Sequence, residues 1–193
     1  MAVRESGWWT PDTRCDSMIA MHEFGIEGYR PRWLRTPEAV LDAHGDRLAA
    51  LVGRRLTSSW IVWDLSCDEW FADCPVVFDF DGEQVEINHT ELDEVSVTWN
   101  SIDTGRHPFW VCFDDFQPRL RWRSDAIPAL AALAGRLLDA VELLEYQGDD
   151  VANGALELGF LLGGTRVGVY NALDENGLGF DTPLSHYRRH PLG

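Results

Sequence analysis

The chain has 193 residues, a formal charge of −16 from 32 Asp or Glu against 16 Arg and no Lys, 45% apolar residues, nine Trp and nine Phe. A surface of that sign repels DNA, RNA and anionic membranes, and the aromatic content rules out a disordered acidic tail. No stretch approaches the ~18 uninterrupted apolar residues of a membrane span, so a single cytoplasmic domain of residues 1–193 is expected, with Cys15, Cys67, Cys74 and Cys112 reduced.

Residues 1–35 mix Trp, Pro and Arg and read as an ordered irregular segment. A first unit is expected over residues 36–102. Thr36 can cap a helix that starts with Pro37 and Glu38, carries Val40, Leu41, Leu48, Leu51 and Val52 on its apolar side, and ends at Gly53. A strand follows over residues 56–63. Asp81-Gly82 then supplies a two-residue hairpin turn that sets Phe78 opposite Val85 and Val76 opposite Ile87. Residues 95–99 close the meander.

The connector, residues 103–123, is again Trp-, Phe- and Arg-rich and reads as irregular, with Asp114-Asp115 a charged turn. A second unit is expected over residues 124–184. Ser124 caps a helix bearing Ile127, Leu130 and Leu133, with Pro128 in its first turn and Gly135 after it. Strands are expected at 138–146, on both sides of Gly163-Gly164, and at 178–180, and residues 185–193 read as a frayed tail.

The two units are related. Residues 48–56 read LAALVGRRL and residues 130–138 read LAALAGRLL, an offset of 82 that also lands Phe78 on Phe160, Gly82 on Gly164 and Val85 on Val167. After a one-residue deletion Leu92-Asp93-Glu94 falls on Leu173-Asp174-Glu175. The expected fold is therefore β-rich α+β: two tandem repeats about a pseudo-two-fold axis, each a helix followed by a four-stranded antiparallel meander.

Function is less legible. Residues 56–105 hold twelve Asp or Glu and no Arg or Lys. Within them Trp70 and Phe71, ringed by Asp64, Asp68, Glu69 and Asp73, have the make-up of an interface anchor with a polar rim, and the matching segment of the second unit keeps only Asp150. These six residues are the expected contact site for a basic protein partner. The alternative is an enzyme or small-ligand protein with Asp93, Glu94, Asp174 and Glu175 at a cleft between the units, although acids recurring at matching places suit turns better. A third possibility is a structural subunit that forms a homodimer.

No metal, cofactor or nucleophile signature is present. Cys67 and Cys74 lack metal-ligand spacing, and Cys67 lies among carboxylates that disfavour its thiolate. The glycines at 159, 163, 164 and 168 sit in a strand–turn–strand and offer a phosphate no helix N-terminus. In type, a small acidic β-rich chain resembles bacterial immunity proteins that neutralise toxins, without a shared motif.

Overall fold

A computed structural model describes residues 25–109, 118–183 and 185–192. Most of the N-terminal segment, Cys15, Cys112 and the Asp114-Asp115 turn lie outside the described residues. The described chain runs α1 (Pro37–Ala49), β1 (Leu56–Asp64), β2 (Glu69–Trp70), β3 (Val76–Phe80), β4 (Glu83–Thr90), β5 (Glu94–Trp99), β6 (Leu120–Arg123), α2 (Pro128–Ala131), β7 (Leu138–Tyr146), β8 (Leu156–Leu162), β9 (Thr165–Asn171), β10 (Asn176–Gly179) and β11 (Tyr187–His190). The result is β-rich α+β, with few helices and two antiparallel sheets. One is ordered β2-β1-β3-β4-β5 with β6 also on β1, the other β10-β9-β8-β7-β11.

Local chemistry accounts for most element boundaries. Thr36 has extended backbone and accepts a hydrogen bond from the Ala39 amide, so α1 begins where the cap residue places it. Asp81 and Gly82 have φ of 50° and 83°, Gly163 and Gly164 of 54° and 78°, the left-handed pairs that a type I′ turn requires. Those turns set Phe78 against Val85 and Phe160 against Val167.

Three expectations need correction: the connector is not irregular throughout, since Leu120–Arg123 form β6 along β1. The second helix is a single turn without a side-chain cap, and Asp125 instead accepts from Arg123 Nε at 2.9 Å. Pro128 explains this: its ring disfavours helical backbone at Ile127, so a helix capped by Ser124 cannot run through it. The tail is not frayed at Tyr187–His190, which form β11 along β7. His190 lies 2.8 Å from Glu145, Arg189 reaches Glu142, and Tyr187 packs edge-on against Tyr146 at 5.5 Å. These cross-strand pairs hold a strand whose sequence lacks apolar alternation.

The sheets face each other across one core. Phe160 stands 4.9 Å from Phe78 and 5.5 Å from Phe80, ring centre to ring centre, with Leu48, Leu51, Ile87, Leu143 and Val169 around them. A short antiparallel ladder joins the strand starts: Gly53 N donates to Leu138 O, Gly135 N to Leu56 O, Leu56 N to Arg136 O and Leu138 N to Arg54 O, at 2.7–2.9 Å. Arg55 and Leu137 face each other at its centre. The first sheet is covered on its other side too, where Ile26, Tyr29, Ile102, Leu120 and Trp122 pack on Val62, Cys74 and Val77.

The outer face of the second sheet is polar. Gly159 and Gly168 are cross-strand partners, and a Cβ on Gly168 would stand 1.9 Å from Glu157 Oε1 and 2.8 Å from Arg166 Nη1. The bare strand backbone there makes room for Arg166, which bonds both Glu157 and Glu142. That is the physical reason for glycines that superficially suggest a phosphate loop.

Candidate functional site

The segment from β1 to β3 carries the six residues expected to meet a partner, and the structure gives most of them structural partners. Asp64 is buried. Its burial opposes ionisation, but hydrogen bonds from Ser66, Cys67 and the Arg119 amide outweigh it and hold the carboxyl below its ordinary value. Asp68, with φ of 59°, accepts from Trp63 Nε1 at 2.9 Å. Glu69 is exposed and accepts from the Cys67 thiol, which pushes that thiol up to about 11.

Trp70 and Phe71 are half-buried rather than displayed. Trp70 packs against the main core and Phe71 against the second cluster, so each ring supports a different side of the first sheet. The indole N–H of Trp70 is buried without a hydrogen-bond partner among the described residues.

Asp73 belongs to a different neighbourhood. Its carboxyl is held above the ordinary value, first by burial and then by the charges of Glu175 and Asp174 from the second sheet. The turns that carry the four cleft carboxylates also come together. Asp174 Oδ1 accepts from the Glu91 amide at 2.5 Å and from Thr90 Oγ1 at 3.3 Å, and Asn171 Nδ2 donates to Glu91 O at 2.9 Å. Asp93 and Glu94 are turned toward Arg35, at 3.5 and 2.6 Å. The four acids are thus divided: Asp93 and Glu94 share Arg35, which offsets one of their two charges, while Asp174 and Glu175 join Asp73. No ion pair reaches Asp73, Asp174 or Glu175 among the described residues.

Beneath this surface lies a buried polar junction. Asn176 Nδ2 donates to Ala72 O (2.8 Å), Cys74 O (3.0 Å) and Asn88 Oδ1 (2.5 Å), while its Oδ1 accepts from the His89 amide at 3.0 Å. The His89 ring is clasped between Asn176 Oδ1 and Leu156 O, each 3.1 Å from a ring nitrogen. Neither residue stands out by motif. A signal existed for one: alternation along β4 puts His89 on the face of Val85 and Ile87, where a polar ring needs a buried partner.

Burial lowers the His89 ring to about 4, with the two acceptors acting in the opposite direction. The unfolded chain takes up this proton first as pH falls through about 6.5. Stability present above that pH is therefore lost progressively down to about 4, by about 3 kcal/mol from this group alone. Urea unfolding between pH 7 and 4 checks this, and a His89→Gln variant should show a flatter profile. Asp73, with its raised value, protonates earlier when folded and offsets part of the loss in both proteins.

Among the described residues, no group of three or more His, Cys, Asp or Glu side chains is placed to hold a metal ion, and no helix is long and apolar enough to cross a membrane. Compared with family models, curated proteins and solved structures, the chain matches none of them.

Proposed function

We propose that this protein is a binding module for a basic protein partner, carried on a duplicated helix-and-meander scaffold. The observation that supports the partner is the gathering of Asp73, Asp174 and Glu175 from two sheets into one neighbourhood whose charges already raise the Asp73 carboxyl. Holding like charges together opposes folding, and an incoming Arg- or Lys-rich surface relieves that repulsion. The narrower form of the reading is an immunity-type inhibitor of a basic, nuclease-like toxin. Trp70, Phe71, Asp68, Glu69 and Asp64 serve this surface by shaping the β1–β3 segment, with Glu69 at its rim.

Support for the duplication comes from the ladder between the sheets. Adding 82 to Gly53, Arg54, Arg55 and Leu56 yields Gly135, Arg136, Leu137 and Leu138, and every donor–acceptor pair is returned by its counterpart. A pseudo-two-fold axis through the Arg55–Leu137 bridge accounts for that reciprocity. The register breaks in β1 between Leu56 and Ser58 and in β7 between Leu138 and Ala140 stand at the same offset.

The test is a basic protein captured from the native host, its affinity then measured from ~50 to ~500 mM salt. Affinity should fall by at least about tenfold, and an Asp73→Asn, Asp174→Asn, Glu175→Gln variant should lose a similar factor at low salt. A partner that binds the neutralised variant equally well would overturn the reading. Sedimentation of the free protein separates this outcome from self-association as a homodimer.

A further inference from the structure

The outer face of the second sheet carries a second feature, which borders the β9–β10 turn on the side of Asn171 and Leu173. Tyr146, Asp150, Tyr170, Asn171, Leu173 and Tyr187 line a pocket of about 310 Å³. Cross-strand pairing places Tyr187 beside Tyr146, and Tyr170 comes from β9 on the same face. Two glycines seat the rings. A Cβ on Gly177 would stand 2.3 Å from Tyr170, and one on Gly148 the same distance from Tyr146, so neither ring could adopt its position over any other residue.

The chemistry of this pocket is specific. Aromatic faces carry negative quadrupole density and attract a cation within ~6 Å of the ring centre. Asp150 adds a full negative charge, positioned by hydrogen bonds from Tyr146 Oη at 3.0 Å and the Ala152 amide at 3.0 Å. The nearby cation, Arg166, is committed to Glu157 and Glu142. Leu173, 62% exposed, adds an apolar side chain to the lining. Anions are repelled by such a lining, and small hydrated metal ions gain little from rings. A weakly hydrated organic cation suits a lining of three rings and one carboxylate.

We propose that this pocket binds an alkylated ammonium head group, held among Tyr146, Tyr170 and Tyr187 with Asp150 as its counter-charge. The same chemistry is offered by a free quaternary amine and by a methylated lysine side chain. The two sources are distinguished by titrating the full chain with choline and with a short trimethyl-lysine peptide, followed by calorimetry and by amide NMR shifts at Asn171 and Ala172. Saturable binding of either supports the site, and the tighter of the two identifies the source. The uncharged choline isostere 3,3-dimethylbutan-1-ol should bind at least about tenfold more weakly, the size of a desolvated cation–π contact.

Tyr170→Phe keeps the ring and should keep the affinity. Tyr170→Leu should lose about tenfold. Asp150→Asn, at an exposed position that leaves the core intact, should also lose severalfold and serves if the leucine variant does not fold. Equal binding of the charged and uncharged probes, undiminished affinity in Asp150→Asn, or no saturation by either cation would overturn the proposal.

Discussion

Asn176→Leu is expected to lower unfolding stability by about 4 kcal/mol, a loss large enough to shift the thermal midpoint by roughly 10 °C in a chain of this size. Leucine fits the volume but can neither donate nor accept. The substitution strands Cys74 O, Asn88 Oδ1 and the His89 amide in a region where Asn176 itself is 1% exposed, while Ala72 O keeps only the backbone amide of residue 176. Leaving a buried polar group unpaired costs roughly 1–3 kcal/mol, and partial relaxation limits the sum. Urea titration measures the loss. A change below about 1 kcal/mol would mean that the junction is not the fastening described here. Because Asn176 ties β10 to the chain at Ala72 and Cys74, the variant should also weaken any partner that depends on Asp73 standing beside Asp174 and Glu175.

Phe160→Ala is expected to cost about 4 kcal/mol by a different mechanism. Phe160 is fully buried, and its ring meets both Phe78 and Phe80 of the first sheet. Truncation removes its own transfer energy and opens a void whose lining comes from two rigid sheets, which collapse poorly around a gap. Phe160→Leu should recover much of the loss, since it refills most of the volume. Equilibrium unfolding of both variants checks the order wild type, leucine, alanine. Alanine equal to leucine would indicate that the sheets close over the site.

Sequence reading succeeded where one short stretch of chain carries its own physics. Thr36 before Pro37 positions α1, and Asp81-Gly82 and Gly163-Gly164 supply the left-handed backbone with which those hairpins close. Strand registers followed, because alternation leaves one pairing that buries Phe78, Val85, Phe160 and Val167 together. It failed where a remote contact overrides local pattern. Tyr187–His190 have no apolar alternation and become a strand only because Tyr146, Glu145 and Glu142 wait on β7. Trp70 and Phe71 look displayed in a run of acids, yet the two cores on either side of the first sheet take up part of each ring.

The carboxylates show the same division. Twelve acids without an Arg or Lys over residues 56–105 are legible from the sequence. Which of them meet a cation is not. Arg35 claims Asp93 and Glu94 across 59 residues of chain, while Asp73 meets Asp174 and Glu175 from the other sheet.

By itself, then, the amino-acid order determined the turns, the helix start, the strand pairing within each meander and the excess of negative charge, all of which depend on φ preferences and side-chain alternation over a few residues. Tertiary structure alone decided that His89 clasps an asparagine 87 residues away, and that three tyrosines from three strands share one pocket with Asp150. Such meetings are set by how two sheets stack and by what runs along their edges, and no local period in the chain encodes that geometry.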